Sequence, residues 1–90
     1  MKAVVTVIGV DTVGIIAGVS TILADAGANI LDLSQTIMQT NIFAMTMLVD
    51  VSNLNITFEK LSEKLEEKGK TLGLEIRIQR EELFLSMHRI

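Results

Sequence analysis

Two glycines, one carboxylate and one amide are the residues of this chain best suited to holding a ligand. Residues 7–20, VIGVDTVGIIAGVS, set Gly9 and Gly14 five positions apart with Asp11 between them. A phosphate loop needs G-x-x-x-x-G-K-[ST], in which lysine meets the phosphates and a hydroxyl meets magnesium. Here Ile15 and Ile16 follow the second glycine, the pattern G-x-G-x-x-G is missing, and Asp11 would repel a phosphate. The remaining chemistry suits something smaller that carries both charges. Backbone N–H groups at a helix start favour a carboxylate, a glycine at position 14 opens the approach to them, and Asp11 can accept from an ammonium group. An amino acid supplies both partners. The competing interpretation is structural: Gly14 lets the helix pack tightly on a sheet, and Asp11 only caps it. Asn29 poses the same choice, since its amide can meet a ligand or close its own turn. In its expected position it lies close to the first loop or to a partner's.

No other set of side chains converges. His88, the single histidine, has no evident acidic partner, and an interface or surface position is expected for it. Asp32 and Ser34 lack the histidine that a triad requires. Met45 and Met47 form a packing stripe. Glu59, Glu63, Glu66 and Glu67 form a solvated helix face without metal-ligand geometry. The expectation is therefore no catalytic residue, no metal and no cofactor, in a protein that is not an enzyme.

Composition narrows the classes further. Net charge is −3, aromatic residues are 3% with no Trp or Tyr, and there is no Lys/Arg run. Phosphate backbones need a basic footprint, so direct nucleic-acid binding is not expected. Zero cysteines remove disulfides and thiolate sites and fit a reducing, cytoplasmic setting. No segment approaches the ~20 apolar residues of a membrane span, and the N-terminus lacks a signal-peptide layout. Ninety residues suffice for one small domain. The hydrophobic share of 49% and mean hydropathy of +0.47 are high for that size, which predicts a self-association face.

Residues 3–8, rich in β-branched side chains and closed by Gly9, predict a buried strand. Ile15, Ile16, Val19, Ile22, Leu23 and Ala26 recur at helical spacing, with Asp11 or Thr12 as N-cap and Gly27 at the far end. Residues 29–39 alternate Leu31, Leu33 and Ile37 against Asp32, Ser34 and Thr36. Phe43, Met45, Met47 and Val49 alternate along the next strand, giving an antiparallel hairpin. Residues 57–72 put Phe58, Leu61, Leu65 and Leu72 on one face of an amphipathic helix that Gly73 ends. Leu74, Ile76 and Ile78 predict a fourth strand. Leu83, Met87 and Ile90 predict a short helical tail buried against the body or a partner. With right-handed crossovers the order is a ferredoxin-like βαββαβ sandwich of class α+β: a four-stranded antiparallel sheet with two helices on one face. Its bare face, an edge strand or the tail should meet a second subunit.

The run GVDTVGIIAGVSTILADAGANILDLSQT resembles the ACT domain, a small-molecule sensing module of this topology, in its D-x-x-G corner, ADAGANI and LDLSQT. The likeness extends from Lys2 to about Arg80, and the later stretch NITFEKLSEKLEEKGKTLGLEIRIQREELFLSMHRI is similar to the small stand-alone ACT proteins of the UPF0237 group. This resemblance implies one ACT-like domain over residues 1–90, with a core at 2–80 and a tail at 81–90. It implies amino-acid binding at a subunit interface. By position the ligand would meet Gly9, Asp11, Thr12, Val13, Gly14 and Ile15, with Asn29 and Ile30 supplied by an adjacent subunit. Val13 stands where many ligand-binding members carry proline, and Gly9 where some carry a polar residue. The expectation is a homodimeric regulatory protein acting through a partner protein, the alternative being a ligand-free interaction module.

Overall fold

The computed structural model describes residues 1–87. In chain order the elements are β1 (Lys2–Val10), α1 (Ile15–Asp25), β2 (Asn29–Ile37), β3 (Ile42–Asp50), α2 (Phe58–Leu72), β4 (Leu74–Arg80) and α3 (Glu81–Met87). The strands form one sheet in the order β2-β3-β1-β4, with every neighbouring pair antiparallel. This is the ferredoxin-like sandwich that the alternation predicts, with the short third helix in the place of the expected tail.

Strand periodicity of two sorts the side chains between the faces. Ala3, Val5 and Val7 of β1, Phe43, Met45, Met47 and Val49 of β3, and Leu74, Ile76 and Ile78 of β4 are all buried. They meet Ile15, Val19 and Leu23 of α1 and Leu61 and Leu65 of α2 in one core. Each helix contributes at spacings of four, which keeps the buried residues on one side of a 3.6-residue turn. Thr57 caps α2 by accepting the Lys60 N–H at 3.1 Å. Gly73 ends it in a left-handed conformation, φ 73°. Among the described residues no helix is long and apolar enough to cross a membrane.

One expectation is corrected and a second is narrowed. Neither Asp11 nor Thr12 caps α1: the N-cap is Gly14, and no side chain bonds there. The chain enters the helix through a left-handed glycine, so a cap two or three residues upstream is out of register. In α3, Leu83 and Met87 are 52% and 61% exposed in the single chain, so of the two covers expected for them, the body or a partner, the body is not the one. The half-buried positions are Glu81 and Phe84, one turn apart. The direct join of β4 to α3 at Arg80 and Glu81 fixes the helix phase before any loop can rotate it. Ile90 and His88 lie outside the described residues. α3 sits on the sheet face opposite α1 and α2, where the Gln79 amide bonds Met87 Sδ at 3.6 Å and Val4 is only 7% exposed.

Candidate ligand-binding cleft

The corner between β1 and α1 is tied down at one point and bent at another. The Asp11 N–H donates to the Asn41 carbonyl at 2.8 Å, joining the corner to the turn between β2 and β3. That turn is closed by the Met38 N–H on Ile42 O and the Asn41 N–H on Met38 O, both 2.9 Å. Asn41 itself takes φ 60°, a left-handed conformation that asparagine tolerates better than most residues. Three residues past the tether, Gly14 turns at φ 89°, and its carbonyl accepts the first helical N–H, from Gly18, at 2.9 Å. A Cβ at position 14 would touch nothing within 4 Å. Glycine is needed there for the backbone angle, and the tight-packing explanation does not apply. Gly9 is the reverse case, because a Cβ there would lie 2.6 Å from Leu74 Cδ2 and 3.1 Å from Leu74 Cα.

Beside this corner lies an open cleft of about 360 Å³, within the size range of small-molecule sites. One wall is Asp11, Thr12, Gly14, Ile15, Ile16 and Ala17; the other is Gln35 and Ile37 of β2 with Phe43 of β3. The first-turn N–H groups of α1 have no intrahelical acceptors. Polar side chains at the cleft are Asp11, Thr12 and Gln35, and none is hydrogen-bonded or ion-paired among the described residues. Aliphatic surface supplies the rest of the lining. The arrangement can receive a small molecule that is anionic at one end, cationic at the other and apolar between.

Of the residues singled out in the sequence, the fold brings Asp11, Thr12, Gly14 and Ile15 to this cleft. Val13 projects from the tip at 97% exposure. Gly9 packs beneath Leu74. Asn29 and Ile30 pair with Asp50 and Val49, while the corner adjoins the opposite end, where Val10 pairs with Ile42. A nine-residue strand is about 27 Å long at the usual rise, so Asn29 does not reach the corner of its own chain. Gln35, Ile37 and Phe43 were the residues missed. Their signal was available: in this topology β2 runs parallel to β1, which puts the last residues of β2, not the first, beside the loop that follows β1.

At the far end of the sheet, the N-terminal ammonium donates to Ser52 Oγ at 2.6 Å and stands 3.9 Å from Asp50 Oδ1. Hydrogen bonds from Ser52 hold the Asp50 carboxyl below its ordinary value, with a smaller coulombic contribution from the ammonium.

A four-stranded split βαβ sandwich defines the ferredoxin-like class, which hosts many functions. The ACT domain family model matches residues 2–79, and the chain belongs to that family, whose members are commonly regulatory and ligand-binding. Among its relatives, a UPF0237 protein of Clostridium acetobutylicum is 58% identical over 90 residues, covering 100% of both chains. An ACT domain protein from Streptococcus pneumoniae is a structural neighbour, with TM-score 0.79, 42% identity and 93% of each chain covered. A candidate glycine cleavage system transcriptional repressor superposes with TM-score 0.75 and 26% identity, over 88% of this chain and 44% of that one.

Proposed function

We propose that this chain is a regulatory module that binds a small amino acid at the first corner and works as a two-fold homodimer joined through β2. The observation that carries the reading is the cleft itself: one wall is a helix start with a free carboxylate, and the other is an edge strand with all nine residues exposed. The ligand carboxylate would take the N–H groups at the start of α1, the ammonium group would take Asp11, and the side chain would lie along Ile16 and Ile37. A two-fold axis near Leu33, midway along β2, sets Asn29 of a second copy opposite Ile37 of the first. That brings the second copy's Asn29 and Ile30 to the cleft, which is the arrangement the resemblance implies. An amino acid that prefers one arrangement of the dimer then shifts its population by the difference in affinity, typically about 1–3 kcal/mol for coupled sites. The output passes to a partner protein.

Thirteen exposed large hydrophobics among the described residues favour the competing reading, a ligand-free interaction module. Calorimetric titration with the twenty amino acids separates the two. At least one should bind with a Kd below the millimolar range, and Asp11→Ala should weaken it by roughly tenfold, as expected for one charge-assisted hydrogen bond. Absence of heat with every amino acid at millimolar concentration would favour the interaction module.

A further inference from the structure

At the open edge of β2 one backbone donor is closed by its own chain. The Leu33 N–H donates to Oδ1 of its neighbour Asp32 at 2.9 Å. Which way that N–H points follows from the turn. The Met38 N–H donates to the Ile42 carbonyl, so it faces β3, and backbone groups alternate sides along a strand. Thr36 and Ser34 therefore also turn toward β3, while Ile37, Gln35 and Leu33 turn their N–H and C=O groups outward. The pairing with β3 is regular from Asp32 to Ile37, its irregularity falling before Asp32. Leu33 is the middle residue of the nine in β2, so the Asp32 carboxylate occupies the donor at the centre of the edge. Charge placed there blunts a strand against indiscriminate pairing. Asp32 and Ser34 flank Leu33 on the sheet face away from α1 and α2. The Ser34 hydroxyl makes no hydrogen bond among the described residues.

We infer that Asp32 is a switch on this edge: it holds the Leu33 N–H in the single chain and passes to Ser34 of a second copy when two β2 strands pair. The inference rests on the β2-joined homodimer proposed above and adds the residues that admit the second strand and fix its place. With the two-fold axis at Leu33, the two outward-facing Leu33 residues form a hydrogen-bonded pair, and each N–H exchanges the carboxylate for the other copy's Leu33 carbonyl. On either side of the axis, Asp32 of one copy stands directly opposite Ser34 of the other. These are non-hydrogen-bonded pairs, with Cα atoms about 4.5 Å apart and side chains in closer reach. The released carboxylate then accepts from the free Ser34 hydroxyl, so the bond given up within each copy returns across the axis. The stretch is self-complementary, with an acid on one side of Leu33 and a hydroxyl on the other, as a two-fold contact between like copies requires. Moving the axis to Asp32 would set two carboxylates opposite each other, which is destabilising. Moving it to Ser34 would set Asp32 against Thr36 and replace the Leu33–Leu33 contact by Leu33 against Gln35. Register matters to the cleft, because it decides whether Asn29 of the second copy arrives opposite Ile37.

Sedimentation equilibrium on the full chain tests the switch, with far-UV circular dichroism to check that each variant is folded. Leu33→Pro deletes an outward N–H without touching the ladder to β3 and should abolish the dimer. Gln35→Pro, at the next outward N–H, takes its place if the first does not fold. Ser34→Ala should raise the dimer Kd about tenfold or more, as the charge-assisted bonds across the axis are lost. The same change in an Asp32→Ala background should have no effect, and Thr36→Ala should have none in either background. If Ser34→Ala acts equally with and without Asp32, or if Thr36 instead of Ser34 couples to Asp32, the switch is overturned and the β2 dimer stands. A wild-type monomer, or a dimer that survives the proline variants, would overturn both. Coupling of Ser34 to Asp32 in a chain that binds no amino acid would support the switch and count only against the ligand.

Discussion

The two edge strands are built on nearly the same alternation and meet opposite fates. β4 reads Leu74, Ile76, Ile78, and all three are buried at 8% exposure or less. β2 reads Leu33, Gln35, Ile37 on its helix-side face, and every residue of it is exposed. Each strand pairs on one side only, so pairing does not separate them. The helix layer does: α2 packs directly on β4, whereas α1 barely touches β2. Gly69 lets α2 settle there, since a Cβ at that position would stand 2.6 Å from the Leu74 carbonyl. Alternating hydrophobicity thus specifies which side of a strand is apolar, and the offset of the helices decides whether the chain itself covers that side. The uncovered strand is the one that walls the cleft.

The sharpest way to break this comparison is to make one change in both strands. Ile76→Ala removes a side chain that is 2% exposed and should cost about 2–5 kcal/mol in urea unfolding. Ile37→Ala, at 57% exposure, should cost less than about 1 kcal/mol at low protein concentration. If a second copy covers β2, the loss at Ile37 grows with concentration and the loss at Ile76 does not. Equal losses at all concentrations would dissolve the contrast.

A smaller effect is expected at the corner. Gly14→Ala forces an L-residue to φ 89° and should cost roughly 1–2 kcal/mol, read as a lower urea midpoint with unchanged slope. No crowding adds to it, because the site is open. A loss well above that range would mean that the corner is packed against something.

The smallest effect lies at the opposite end of β3. The Asp50 carboxyl is held below its ordinary value by Ser52, so the stability it contributes is present above the unfolded-state pKa and lost as pH falls through the folded one. In acid, the melting temperature of the wild type should fall slightly more steeply than that of Asp50→Asn. Parallel melting curves from neutral pH down to about pH 3, below the ordinary carboxylate pKa, would remove Asp50 from the account.

Much of the fold was legible in the sequence because periodicities of two and near four are direct consequences of backbone geometry. α2 shows this well, with Thr57 as cap, Leu61 and Leu65 inward and Gly73 as stop. The first corner was legible in its residue types and misread in its mechanics. Asp11 and Thr12 have the right chemistry for caps, but a left-handed Gly14 moves the helix start past them, and backbone handedness leaves little trace in a pattern of side chains. The tail was legible as a short helix and not in its orientation, because Leu83 and Met87 are correctly spaced to share a face and nothing in the spacing says whether that face looks to the body or away from it. Asn29 was recognisable as an unusual residue, yet its distance from the loop follows only from strand direction.

The bond from the Asp11 N–H to Asn41 reaches beyond the corner it fastens. Asn41 belongs to the turn that ends β2, so the corner that forms one wall of the cleft is fastened to the end of the strand that forms the other. Such a slot does not open like a pair of jaws, because a shift of one wall drags the other along. Accommodation of different occupants is left to side-chain rotamers at Ile16, Gln35 and Ile37, and the freedom to widen lies at the mouth, on the side where a second molecule would stand.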